Sequence, residues 1–258
     1  ILHSAARREA YLNGISLLMD LCDRYEIRLV PCLGLNTQMF LNAKYVEGYG
    51  WVSDTENTVD LVADADSVSR TNMYNFLDEF IKRFRERNTV LFWELTNDGN
   101  LEADNGASNE KVTYSLLQLG NFYADCAARI RINDNTRLIG GGDGLLRTAQ
   151  WHLFTSTMNG EAEDWTYDTS TDRLKALSLL TNGLDMMSIH GYDVGITTNA
   201  ESYYSDADGS KVQLTFQYMV AESKLLGKLL YNGATNGVIN YTTVDGADTD
   251  LLAGQIKY

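Results

Sequence analysis

Proline is nearly missing from this sequence. One residue of 258 is proline, Pro31, where average usage near 5% gives about 13. Cysteine is sparse too. Cys22, Cys32 and Cys126 are an odd number, far apart, and without zinc-type spacing, which excludes a disulfide framework and leaves them as buried small hydrophobes. The three histidines, His3, His152 and His190, are distant from one another and carry no metal-ligand spacing. No apolar run approaches the ~18 residues of a membrane-spanning helix, so none is expected. Positive charge is in deficit, with 21 Lys and Arg against 35 Asp and Glu and a net charge of −14. A protein that tracks nucleic-acid phosphates needs a Lys/Arg footprint, so no nucleic-acid partner is expected.

What is present describes a packed domain. Hydrophobic residues make up 44% of the chain and 15 residues are tyrosine, too much apolar surface for a disordered segment. The length suits one α/β domain over residues 1–258. An amphipathic helix is expected over 4–25, followed by a short apolar run, Ile27–Leu35, typical of a strand buried on both faces. A polar stretch covers 36–70. A helix over 71–87, with Thr71 as N-cap, leads to the strand Val90–Thr96. Helix 110–132 precedes strand Thr136–Gly140, and a long loop runs over about 143–170. Helix 171–182 precedes strand Leu184–His190. After a loop at 191–209, helix 210–226 leads to strand Lys228–Asn232, and Val238–Val244 is one more strand-like run.

Strands alternating with helices imply a mostly parallel sheet. Long loops after strands are the arrangement of a (β/α)8 barrel, whose site is built on the strand C-terminal ends. A doubly wound sheet would want a glycine fingerprint opening the helix after the first strand, and there is none. Gly140–Gly144 lacks the Lys-Ser/Thr of a phosphate-binding loop and reads as a tight turn at a strand end. No Gly-x-Ser-x-Gly supports a serine hydrolase triad.

The most specific segment is Phe92-Trp93-Glu94-Leu95-Thr96-Asn97-Asp98. It resembles the fourth strand of clan A glycoside hydrolases, especially the family 5 cellulase and endo-β-mannanase group. There the strand reads Trp-Glu-Leu/Ile-x-Asn-Glu, usually followed by Pro. Three further segments agree in order and spacing over about residues 10–236. Tyr25–Pro31 is similar to the opening of the third strand. Asp185–Tyr192 is similar to the sixth, where a His-x-Tyr pair lines a sugar subsite. Gly227–Thr235 resembles the seventh, Gly-Lys-Pro-Leu-Tyr-x-Gly-Glu. The first strands and the eighth are missing or unrecognised, so the resemblance implies a partial or end-divergent barrel.

Carried over residue by residue, the resemblance puts Asn97, His190 and Tyr192 at the central sugar subsite and Asp98 at the acid/base position. Asp98 is one methylene shorter than the family's Glu, and Gly99 and Leu229 stand where Pro is usual. The nucleophile position is occupied by Ala234. Retaining glycosidases need two carboxyl groups about 5–5.5 Å apart, and inverting ones need about 6.5–9.5 Å. Ala234 supplies none, so a surviving hydrolase would need a substitute carboxylate, with Asp143 and Asp193 the candidates at strand ends. Each is equally a loop Asp satisfying backbone N–H groups. Glu94 is expected as a buried, hydrogen-bonded barrel residue. Trp51, Trp151 and Trp165 are either glycan platforms or loop packing. Two functions stay open: a hydrolase of O-glycosidic bonds in a β-linked polysaccharide of the mannan or cellulose class, and a silent glycan-binding barrel. The resemblance implies a secreted protein with a polysaccharide or oligosaccharide partner and no cofactor.

Overall fold

The computed structural model describes residues 4–34, 40–41, 43–53, 56–104, 114–191, 203–205 and 210–234. Helix α1 (Ala5–Arg24) starts on Ser4, whose side chain accepts from the Arg7 amide. The segment after it runs alongside the next strand as parallel bridges at Leu29–Val90 and Cys32–Glu94. Two short strands, β1 (Ala43–Val46) and β2 (Gly50–Ser53), form an antiparallel hairpin. Helices α2 (Thr58–Ala63) and α3 (Val68–Phe84) follow. The polar stretch expected over 36–70 therefore contains a hairpin and a helix. The N-cap of α3 is Ser67 rather than Thr71, because the Ser67 hydroxyl reaches the Arg70 amide at 3.0 Å and starts the helix one turn earlier.

Strand β3 (Trp93–Glu94) leads through a 3-10 turn, Gly99–Glu102, to α4 (Leu116–Asn133). Strands β4 (Ile139–Gly140) and β5 (Asp143–Gly144) are two parts of one interrupted run. The loop expected over 143–170 instead contains α5 (Gln150–Asn159), and α6 (Ser170–Leu180) follows. The signal for α5 is hidden because its cap is not local. Ala149 makes no side-chain cap bond. The carboxylate of Asp168 takes the amides of Trp151 and His152 instead, at 2.8 and 3.2 Å. Strand β6 (Met186–His190) comes next, then a second antiparallel hairpin, β7 (Tyr203–Ser205) with β8 (Lys211–Gln213). Helix α7 (Phe216–Leu226) and strand β9 (Leu229–Ala234) complete the described chain. The run Val238–Val244 lies outside the described residues.

The pairing order fixes the fold class. The 29–32 segment lies beside β3, β3 pairs with β4, β5 with β6 and β6 with β9, all parallel. Apart from the two inserted hairpins, β1–β2 and β7–β8, each neighbour is the next strand in sequence, with at least one helix between the paired runs. A doubly wound sheet reverses strand order at a switch point; no reversal occurs here. The described residues form five successive units of a singly wound β/α array, the (β/α)8 type in part.

Alternation sorts the strand side chains. Trp93 and Leu95 point to the helices, where Trp93 meets Phe80 edge-on at 6.2 Å between ring centres. Phe92 and Glu94 point the other way. Phe92 meets Tyr231 of β9 edge-on at 4.7 Å, and Glu94 bonds Ser188 of β6. At the N-terminal strand ends, Arg137 donates to the carbonyls of Val90 and Arg87 at 3.1 and 2.7 Å. Asp134 accepts from the Trp93 indole at 2.9 Å. That end is a satisfied polar plug, and the opposite, C-terminal ends carry the candidate chemistry.

Candidate functional site

Three strands bring their ends together. Glu94 and Asp98 lie on the β3 segment, Asp143 on β5, and Ser188 and His190 on β6. The Asp98 side chain shares a 2.7 Å contact with His190 Nδ1 and accepts from Asn97 Nδ2 at 3.0 Å, one contact on each carboxylate oxygen. His190 Nε2 faces the Glu94 carboxylate at 3.8 Å. That is an ion-pair distance and too long for a hydrogen bond. Glu94 in turn accepts from the Ser188 hydroxyl at 2.7 Å. The expectation that Glu94 is buried and hydrogen-bonded agrees with its 7% exposure. Asn97 is exposed and Asp98 partly so, whereas His190 is 4% exposed.

A second chain of bonds lies beneath. Tyr123 of α4 donates to Asp143 at 2.8 Å and shares a 2.8 Å hydroxyl contact with Thr96. Asp143 is 3% exposed. The two chains are neighbours, since Asp98 Oδ1 lies 3.3 Å from where a Cβ on Gly144 would stand.

The glycine run between β4 and β5 makes this convergence possible. A Cβ on Gly140 would sit 2.8 Å from the Ser188 Cβ, and one on Gly142 would sit 2.7 Å from the Glu94 Cγ and 2.0 Å from the Thr96 carbonyl. Gly142 also has φ +77°, a region that L side chains rarely adopt. The run therefore removes side chains from the middle strand, so that β3 and β6 can bond across it. Sequence reading took it for a turn alone. The Gly142 carbonyl then accepts the Asp98 amide at 2.7 Å, which fixes Asp98 at φ +56° and ψ +32° in the left-handed region. Asp tolerates that conformation better than most residues.

The electrostatics follow from these contacts. The Glu94 carboxylate on one side and Asp98 on the other raise the His190 imidazole to about 8, against the opposing effect of burial. Both ring nitrogens then carry protons at neutral pH. Burial raises Asp143 to about 7; the Tyr123 bond and the His190 charge oppose this, and the Glu94 and Asp98 charges add to it. Burial, and then the Asp143 charge, hold the Tyr123 hydroxyl well above its ordinary value.

The sequence-derived candidates divide accordingly. Asp98 and His190 are bonded to each other, Asn97 touches Asp98, and Asp143 lies under the same cluster. Ala234 is the backbone register partner of His190 across β6 and β9. Tyr192 and Asp193 lie outside the described residues. Trp151 is half-buried beside Phe154 at 5.3 Å, and Trp165 is 49% exposed. The side chain of Trp51 is outside the described set. Sequence reading missed Ser188, Tyr123 and Thr96. Ser188 was legible in principle, because it shares strand parity with His190. Tyr123 is one of several aromatics on a helix and carries no local signal.

Comparison with known proteins gives a consistent but distant picture. No protein-family model matches the sequence, and no curated protein matches it. Solved structures that resemble it include an exo-β-1,4-mannosidase from Opitutaceae bacterium strain TAV5, at 16% identity and TM-score 0.43, covering 71% of this chain and 28% of that one. An endo-1,4-β-D-mannanase from Thermotoga petrophila RKU-1 matches at 16% identity and TM-score 0.47, covering 79% and 54%. A β-1,4-D-mannanase from Cryptopygus antarcticus matches at 14% identity and TM-score 0.46, covering 94% and 69%. The chain spans from 28% to 54% of the first three structures it resembles. Likenesses of this degree assign no activity to it. No helix among the described residues is long and apolar enough to cross a membrane.

Proposed function

We propose that the chain is a glycoside hydrolase-type domain that engages a β-linked polysaccharide of the mannan or cellulose class. In this reading Asn97, Asp98 and His190 form the sugar-facing cluster, in an extracellular setting, and the glycan is held without being cleaved. The observation that carries the reading is the 2.7 Å bond between Asp98 and His190, with His190 in register with Ala234. It brings three of the four colinear resembling segments to one point at the strand ends. Fold analogy alone would be a weak warrant for function; the argument here is the site.

The residues at the site favour the non-cleaving form. A general acid must reach the leaving oxygen. Asp98 is one methylene shorter than the Glu of the resembling family, which draws its carboxyl back by ~1.5 Å, and misplacement by ~1 Å can cost about 10²-fold. The position opposite His190 is Ala234, which can neither form a glycosyl-enzyme nor activate water.

The test is binding of mannan and cello-oligosaccharides by calorimetry, alongside release of reducing ends. The expected result is binding without turnover, weakened at least tenfold by Asn97→Ala. Turnover abolished by Asp98→Ala would replace the binding reading with a hydrolase. Absence of both binding and turnover would reject the glycan reading altogether.

One observation favours a hydrolase. Asp143, at about 7, is a carboxyl group that still carries a proton near neutral pH, and two carboxyls with separated protonation are what acid/base pairs use. Against it stands its 3% exposure. Turnover lost in Asp143→Asn would support this second reading.

A further inference from the structure

We propose that Asn100 is the positioning residue of this site: its side-chain amide stands in for a strand and sets Asp98 against His190. The inference rests on the reading above, because Asp98 and Asn97 are sugar-facing residues in that reading. The backbone of the β3 segment follows the glycine run as far as Asp98. The amides of Leu95, Thr96 and Asp98 donate in turn to the carbonyls of Gly140, Gly141 and Gly142, at 3.0, 2.9 and 2.7 Å. The chain then leaves the sheet in the 3-10 turn, Gly99–Glu102. Asn100, in that turn, continues the ladder with its side chain. The Gly144 N–H donates to Asn100 Oδ1 at 2.8 Å, and Asn100 Nδ2 donates to the Gly144 carbonyl at 2.9 Å. A side-chain amide carries a donor and an acceptor side by side, as a peptide does. Asn100 is 1% exposed, so water does not compete for either bond.

The residue that Asn100 grips is the backbone register partner of His190 across β5 and β6. Asp98 and His190 are therefore joined twice, by the 2.7 Å contact between their side chains and by the path through Asn100 and Gly144. Gly144 also leaves room for the pair, since a Cβ there would stand 3.3 Å from Asp98 Oδ1. The Gly142 carbonyl holds the Asp98 amide at one point, and one bond is a pivot. The two bonds on Gly144, two residues further along, fix the direction in which the turn leaves the sheet. Tyr114 and Arg147 bond the carbonyls of Gly99, Leu101 and Ala103. Neither lies on a strand, so they hold the turn together without setting its place on β5.

Removing the amide leaves the buried N–H and carbonyl of Gly144 without that partner, where an unpaired polar group is costly. The turn shifts to let water reach them, and Asp98 shifts with it. A displacement of ~1 Å stretches the 2.7 Å contact with His190 past hydrogen-bond range. Asn97, bonded to the Asp98 carboxylate at 3.0 Å, moves too. Asn100 is buried and acts on a glycan only through these two residues.

The experiment compares the wild type, Asn100→Ala and Asn100→Ser with Thr181→Ala, which removes a buried hydroxyl bonded to the Leu177 carbonyl at the C-terminal end of α6. NMR Overhauser contacts between the Asp98 β protons and the His190 ring report the pairing. Calorimetry with mannohexaose reports affinity, and thermal melts report stability. The wild type and Thr181→Ala should keep the Overhauser contact. Both Asn100 variants should lose it and, well below their melting temperatures, bind mannohexaose about tenfold more weakly. Asn100→Ser, whose hydroxyl can still accept the Gly144 N–H, is the milder change and decides the matter if Asn100→Ala does not fold. A folded Asn100 variant that keeps both contact and affinity overturns the proposal, because Gly142 alone then positions Asp98. Loss of the contact in Thr181→Ala overturns it as well, since general loosening would explain the effect. If the wild type binds no mannohexaose, the glycan reading fails, and the Overhauser contact alone judges Asn100.

Discussion

Removing the buried Asp143 carboxyl should make the protein more stable at alkaline pH and leave it nearly unchanged in acid. Asp143 sits at about 7 in the folded protein, raised from an ordinary 3.8 chiefly by burial. A group whose folded value lies above its unfolded value favours the fold while protonated. That contribution is complete below about pH 4 and is lost as the pH rises through 7. A difference of about three pH units corresponds to ~4 kcal/mol, at about 1.4 kcal/mol per unit. In Asp143→Asn the amide oxygen still accepts from Tyr123, and no charge is ever buried. Part of the gain is offset by an amide N–H2 placed where Asp143 Oδ2 now stands, about 1 kcal/mol if it finds no partner. The net expectation is stabilisation by about 3 kcal/mol at pH 8 and none at pH 4.5. Urea unfolding of both proteins at pH 4.5, 6, 7 and 8 measures it. Curves that keep a constant separation across this range would refute the reasoning, because they would mean that Asp143 does not change protonation within the folded state.

Two further outcomes follow from the glycine contacts. Gly142→Ala should abolish folding or cost more than about 3 kcal/mol, since its Cβ would stand 2.0 Å from the Thr96 carbonyl at φ +77°; a thermal melt within a few degrees of wild type contradicts this. Gly233→Ala puts a Cβ 2.7 Å from His190 Cδ2 and 2.9 Å from Nε2, on an exposed strand end. Its expected signature is a downward shift of the His190 titration by NMR with little change in melting temperature, and an unshifted titration would show that the ring is not held there.

The sequence was most legible where structure is local and repetitive. The alternation of apolar runs with amphipathic segments located α1, α6, β6 and the C-terminal end of α4 to within two residues, because 3.6- and 2-residue periods are written directly in the side chains, whereas the start of α4 lies six residues beyond the expected 110. Helix α5 was invisible, because its N-terminal amides are satisfied by Asp168, after the helix rather than before it. Strands β1, β2 and β7 fall in stretches read as loop and β8 in one read as the start of a helix over 210–226, each being only three or four residues long. At the site, Asp98 and His190 are singled out by the order and spacing of motifs in the resembling family, and they do meet. Their separation of 92 positions leaves no trace of the bond in either segment. Tyr123 and the spacing role of Gly140 and Gly142 depend on three strands at once, and no single segment encodes them.

The arrangement also says why one substitution should not turn this cluster into a hydrolase. Ala234→Glu would put a carboxyl on β9 at the backbone register position of His190, the position that the resemblance gives to the nucleophile. Asp98 would still be one methylene short as an acid, and general acid catalysis contributes about 10²–10⁴-fold. Asp98→Glu alone lengthens the acid by one methylene, ~1.5 Å, but supplies no nucleophile. The two changes repair different halves of one mechanism, so their effects should multiply rather than add. Reducing-end release from mannohexaose should be undetectable in either single variant and measurable in Ala234→Glu/Asp98→Glu. Full activity in Ala234→Glu alone would mean that Asp98 serves as the acid at its present length.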